Sequence, residues 1–136
     1  MQVLDLRRLP KVKRDMDLFR ELLMKIEANQ EMDGTREFYY NTPEEMGIQN
    51  HSLEEVAYHL RLLIEDGFVN GAVTMAVPMQ VIRGLTNKGH DFLANIGNDN
   101  IWSKVKKQVG DLSGHVGLPV IAFLAEAIIK KHYKLT

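Results

Sequence analysis

The chain has no cysteine. Disulfides and cysteine-ligated zinc are therefore excluded, and a reducing compartment is compatible. It also has almost no net charge, because 17 Lys and Arg oppose 18 Asp and Glu for a formal −1. That balance gives no overall attraction to nucleic acid or to an anionic membrane. Long hydrophobic runs are missing as well. The longest, Val116 to Ile129, is interrupted by Glu126 and is too brief to span a bilayer. The opening stretch, Met1 to Lys13, is basic through Arg7, Arg8, Lys11 and Lys13, but holds no apolar core of signal-peptide length. The expectation is a soluble cytoplasmic protein with no membrane partner. The sequence has no internal repeat and no low-complexity tract. It also lacks an H-E-x-x-H pair, a serine or cysteine nucleophile motif and a phosphate-cradling glycine loop. Neither an enzymatic activity nor a cofactor is expected.

At 136 residues and 45% apolar composition, the chain is one domain with enough hydrophobic surface for a core. Its organisation centres on Ser52 to Leu93. Ser52 and Glu55 form a capping box at a helix start. Leu53, Val56, Ala57, Leu60, Leu63 and Ile64 then recur at helical spacing. Gly67 ends that helix. Phe68 and Val69 open a strand-like run, and Val81, Ile82 and Leu85 form another. Asn70-Gly71 is a turn signal between them, and Ala76-Val77-Pro78 is a second. The hairpin is expected over residues 68–86 with its tip within 71–78. Thr86 caps a following helix through Asn87–Ile96, with Phe92, Leu93 and Ile96 facing inward.

Before this stretch, Asp15 caps a helix to Ala28 whose buried stripe is Met16, Phe19, Leu22, Leu23 and Ile26. Leu18 lies off the stripe, where it meets another element or subunit. Arg36 to Tyr40 reads as a short strand. Thr42-Pro43-Glu44-Glu45 is a second capping box, stopped after barely one turn by Gly47. After the central stretch, Asn98 caps a helix carrying Ile101, Trp102, Val105 and Val109 on one face. A glycine-rich loop from Gly110 to Gly117 leads to a last helix opened by Leu118-Pro119. That helix is apolar around most of its circumference, so its second face needs a cover, either the first helix or a partner. The fold class expected is α+β: a winged-helix-like domain over residues 14–97, a basic arm over 1–13, and a C-terminal helical extension over 98–136. The extension packs on the same domain or in a dimer interface.

Three pieces carry a resemblance. Lys13-Arg14-Asp15-Met16-Asp17 opens the first helix. Tyr58-His59-Leu60-Arg61-Leu62-Leu63 with Asp66-Gly67 closes the middle one. Leu85-Thr86-Asn87-Lys88-Gly89-His90-Asp91-Phe92-Leu93 is followed by Ile101-Trp102 and Lys104-Val105-Lys106. In this order, over roughly Lys13 to Val109, they resemble the bacterial and phage family named domain of unknown function 2513. More distantly they are similar to winged-helix proteins, in which a leucine-threonine pair and a nearby glycine follow the wing. Asn87-Lys88 departs from the tryptophan-glutamate pattern at that place. The resemblance implies a winged-helix-like fold and a phage or prophage setting. It implies no activity and carries over no catalytic or binding residue.

Two functional readings follow. As a DNA-binding regulator, the chain would use the helix over residues 52–66 and the wing over 68–86, with Arg61, Arg83, Lys88, Lys104 and Lys107 as phosphate contacts. Replacing Arg61 or Arg83 with alanine would then weaken binding. Against this stands the charge of the helix and its surroundings. From Glu37 to Asp66 there are seven acids and one base, Arg61, for a net −6. As a protein-interaction or regulatory adaptor, the chain would present the acidic middle helix and the apolar last helix to a protein partner or to a second copy of itself. This is the favoured reading. The five histidines, His51, His59, His90, His115 and His132, do not have metal-ligand spacing. His59 and His90 are expected to approach each other where the middle helix meets the post-wing helix, as structural hydrogen-bonding groups. Trp102 is expected to be a core or interface anchor.

Overall fold

A computed structural model describes residues 12–110 and 116–134. The expected basic arm therefore lies almost entirely outside the described residues, as does His115. The order of elements is α1 (Met16–Ala28), β1 (Asp33–Phe38), a 3-10 turn (Glu44–Met46), α2 (Leu53–Glu65), β2 (Val69–Ala72), β3 (Val81–Leu85), α3 (Asn87–Ile96), α4 (Asp99–Val109) and α5 (Leu118–His132). The strands form one antiparallel sheet in the order β1-β3-β2. The class is α+β, as expected.

Each helix start is set by its own capping residue. The Asp15 carboxylate accepts from the Asp17 and Leu18 N–H groups. Ser52 and Glu55 complete both halves of the capping box. Asn98 accepts from Asn100 and Ile101. These side chains satisfy backbone donors that helix starts otherwise leave open. The end of α2 is closed by the Gly67 N–H bonding to Ile64 and the Phe68 N–H to Leu63, the paired bonds of a left-handed termination.

Packing explains Leu18. α1 touches α2, α3 and β3, so its buried face is wider than one stripe, and Leu18 is fully buried within the chain rather than at a subunit contact. One continuous core runs from α1 through α2, the sheet and α3 to α4 and α5. The main partners of α5 are α3 and α4, not the first helix. Leu118, Ile121, Ala125 and Ile128 form its buried stripe. Val120 and Phe123 stay 52% and 69% exposed.

Three local expectations are corrected. First, Asn70-Gly71 is not a turn. Both residues lie inside β2, and the tip is the later segment 73–80. Asn70 pairs with Gly84 and Gly71 with Ile82, so the ladder slips past Arg83 at a bulge. Gly71 is there because a Cβ would sit 2.2 Å from the Val81 carbonyl and 3.0 Å from Ile64 Cδ1. Second, β1 begins at Asp33 rather than Arg36. The Asp33 carboxylate takes both the N–H and the hydroxyl of Thr35, and β1 is an exposed edge strand of irregular register against β3. Third, the box at Thr42 is displaced by one residue. Thr42 accepts from the Glu45 N–H at 3.3 Å, but Glu45 returns to the Asn41 N–H at 2.9 Å.

The junction between α2 and α3 carries the tightest packing. The Thr86 hydroxyl donates to the Gly67 carbonyl at 2.5 Å and accepts from the Gly89 N–H at 3.0 Å. The Thr86 N–H donates to the Phe68 carbonyl. A Cβ on Gly89 would meet that same carbonyl at 1.9 Å. Thr86→Ala is expected to cost about 1–2 kcal/mol by removing the cap and stranding the Gly67 carbonyl. Gly89→Ala is expected to cost about 2 kcal/mol or more by forcing α3 off the α2 end. Thermal unfolding of both variants checks this. A melting temperature unchanged by either would show that the junction is not structural.

Candidate functional site

The cations selected for DNA contact do not form one surface. On α2, Arg61 Nε bonds Glu65 one turn later at 2.8 Å. Arg83 on β3 pairs with Glu37 of β1 at 3.4 Å. The Lys88 ammonium donates to the Asp66 carbonyl at 2.9 Å and lies 4.4 Å from the Phe68 ring centroid. The three cations nearest the middle helix and wing are thus engaged within the chain. Glu54 remains exposed at the start of α2, beside the acidic 3-10 turn with Glu44 and Glu45. Gln80, almost fully buried, bridges the hairpin tip to this helix. Its side chain accepts from the Thr74 N–H at 2.9 Å and donates to the Ala57 carbonyl at 3.3 Å. The tip therefore stands beside α2 with Met75 fully exposed and Val73 47% exposed. The result is an acidic helix flanked by an apolar loop.

Lys104 and Lys107 lie elsewhere, on α4. There they line a cavity of about 420 Å³ with Gln108 of α4 and Ile128, Lys131 and His132 of α5. The Lys104 ammonium donates to His132 Nδ1 at 3.2 Å. Reasoning from sequence missed Lys131, and weighed His132 only as a metal ligand. The signal was a Lys130-Lys131-His132 run in the last turn of α5, but only packing against α4 gives it two further lysines.

A cavity of about 790 Å³ is lined by Lys13, Arg14, Asp15, Asp17, Ser52, Glu54, Glu55 and Lys106, among others. Its walls are the helix starts and their ties. Asp17 accepts from Trp102 Nε1 at 2.7 Å and from Lys106 at 3.1 Å. Burial raises the Asp17 pKa, but these two hydrogen bonds and the nearby cations outweigh it and hold the carboxyl below its ordinary range. Arg20 reaches the Ile96 and Gly97 carbonyls and Asp99, locking α1 to the α3–α4 turn. Trp102 is a core anchor, 3% exposed.

The histidines occupy separate places. His59 is fully buried between α1 and α2 and stacks against Phe19 at 4.6 Å. Its Nε2 accepts from the Asp15 N–H at 2.8 Å, which leaves the ring proton on Nδ1 to donate to the Glu55 carbonyl at 2.7 Å. His90 is exposed and faces Glu27 at 3.8 Å. The expected meeting of His59 and His90 does not occur, because α3 presents His90 toward the far end of α1. His51 bonds Glu55 at 2.9 Å. Among the described residues, no three His, Asp or Glu side chains are grouped to hold a metal ion. None of the described helices is long and apolar enough to cross a membrane.

The motifs and the fold now meet the comparisons with known proteins. Residues 13–115 match the family described as "Hypothetical protein (DUF2513)", and the chain belongs to that family. An uncharacterized protein of Haemophilus influenzae is 31% identical over 122 residues, which covers 88% of this chain and 98% of the other. No solved structure matches.

His59 supplies a test of the α1–α2 contact. Burial lowers its pKa from 6.5, more than the Glu55 carbonyl raises it. The unfolded chain takes up a proton near the ordinary value, whereas the folded chain resists until lower pH. Stability is therefore full above about pH 6.5 and falls as pH drops toward the depressed folded value. Melting temperature is expected to fall between about pH 7.5 and about pH 5, a window above the carboxylate range. In His59→Gln, which keeps an acceptor for the Asp15 N–H, this slope should flatten. An equal slope in both proteins would assign the effect to another group.

Proposed function

We propose that the chain is a non-enzymatic, winged-helix-like adaptor of phage or prophage type that binds a protein through α2 and the hairpin tip. The winged-helix reading is supported by the element order from α1 to α3 and by the sheet order β1-β3-β2. The phage or prophage setting rests on the sequence resemblance. The observation that carries the interaction reading is the internal engagement of Arg61, Arg83 and Lys88. A phosphate backbone approaching this face finds Arg61 and Arg83 already paired with Glu65 and Glu37, and meets the exposed carboxylates of Glu44 and Glu54. A basic protein surface with an apolar projection fits instead, with Met75 and Val73 as the apolar contact. The non-enzymatic reading is supported by His51, His59, His90 and His132, each of which already has a partner within the chain.

A charge and contact reversal on the exposed positions tests the surface. The Glu44→Lys, Glu54→Lys, Met75→Ser variant, which leaves the Arg61–Glu65 pair in place, is expected to keep the parent's fold and to lose a salt-sensitive, basic partner that the parent captures from cell extract. A partner set identical for both proteins would remove the α2 and hairpin face. A second copy of the chain is the other partner within this reading, seated on Val120 and Phe123 of α5. Sedimentation velocity decides that point, since a monomer at high concentration excludes it.

A further inference from the structure

We infer that the cleft between α4 and α5 binds the phosphate of a nucleotide, free or within a nucleic-acid backbone, through Lys104, Lys107, Lys131 and His132. This goes beyond the adaptor reading and uses a different surface.

The argument begins with unbalanced charge. Lys104 and Lys107 stand one helical turn apart on α4, and Lys131 and His132 come from α5 to the same cavity. Among the described residues, none of these three lysines has an Asp or Glu within ion-pair distance, although most of the other described cations do. The acids carried by the two helices themselves are already used: Glu126 of α5 bonds Lys130 at 2.9 Å and Asp99 of α4 bonds Arg20 at 2.6 Å. In place of a carboxylate, Lys104 has the His132 ring nitrogen at 3.2 Å, which is not an anion. Cations in the last turn of a helix do oppose its macrodipole. That accounts for Lys107 and Lys131 each on its own helix, but not for their convergence on one cavity.

The chemistry of the lining selects the anion. The planar fork of arginine serves carboxylate and phosphate alike, and none lines the cleft, so an anion there is held by lysine point charges. Compact ammonium charges suit a tetrahedral oxyanion, which offers several oxygens to several separate donors. Gln108 adds an amide donor. Ile128 and the lysine stems give an apolar floor, and about 420 Å³ exceeds what a bare phosphate fills. A base and sugar attached to the phosphate use that space.

The test uses the full chain. Amide chemical shifts are followed while adenosine monophosphate is added, and a labelled mixed-sequence DNA duplex is titrated by anisotropy at several salt concentrations. The expected shifts concentrate on Lys104, Lys107, Gln108, Lys131 and His132. Lys107→Glu with Lys131→Glu should weaken ligand binding at least tenfold and, for DNA, reduce the salt slope by about 2, one per lost phosphate contact. A Lys107→Gln, Lys131→Gln pair guards against misfolding and should show the same direction with a smaller loss. Arg61→Ala with Arg83→Ala should bind as the parent does. Shifts with the mononucleotide but no duplex binding assign the cleft to free nucleotides, and duplex binding lost in the lysine variants assigns it to a backbone. No perturbation by either ligand overturns the inference, as does unchanged binding in both lysine pairs. Binding of polyglutamate alone also overturns it, in favour of an acidic protein segment. None of these outcomes depends on α2 or the hairpin tip.

Discussion

One hydroxyl holds the fold's centre together. Thr86 donates to the last carbonyl region of α2 at Gly67 and accepts from the first turn of α3 at Gly89. Its own N–H reaches Phe68, so the start of one helix and the end of another share a single residue. The hairpin leaves from Val69 and returns at Leu85, which means its two ends are fixed by the same contact. Hairpin position is thereby coupled to the α2–α3 angle. Lys88 adds a second tie across this joint, to Asp66 and over Phe68, and is not free to meet a ligand while it stays there.

A second joint fixes α1 and determines where the C-terminal helices sit. His59 presents α2 to the backbone of Asp15, while Asp17 takes Trp102 and Lys106 from α4. Asp15, Asp17, His59, Thr86, Lys88, Gly89, Trp102 and Lys106, all within the motifs that carry the family resemblance, lie at these two joints. These motif residues assemble the helices around a small sheet. The hairpin tip and Lys107, Lys131 and His132 of the cleft lie outside the motifs, whereas Arg61 on α2 and Lys104 in the cleft lie inside them.

Much of this was legible in the sequence, and the reason is locality. Asp15, Ser52, Thr86 and Asn98 were readable as caps because each acts on residues two or three positions away. The helical stripes were readable for the same reason. Asn70-Gly71 misled because its turn signal is local, while the need for Gly71 comes from Ile64 and Val81 packed against it. The charges divide in the same way. Arg61 with Glu65 is an i,i+4 pair visible in the sequence, and weighing it would have discounted Arg61 at once. The pairing of Arg83 with Glu37 depends on β1 lying beside β3, which no short window contains. The cleft was illegible for the strongest reason: it exists only where α4 and α5 pack, across a stretch of chain with no periodic signal.

A near-zero net charge speaks only to overall attraction, and the arrangement of the charges sets the local fields. A charge of −1 is compatible with a segment of −6 around α2 and with three lysines gathered on α4 and α5. Attraction at the distance of contact follows the local field, not the sum, because salt screens charges beyond about 10 Å. An approaching polyanion is turned away from α2 and drawn toward α4 and α5, while a polycation experiences the reverse. On the proposed assignments, the two surfaces would take partners of opposite sign without competing. That makes a simultaneous contact to a basic protein and to a phosphate electrostatically consistent, which a fold carrying both functions on one recognition helix would not allow.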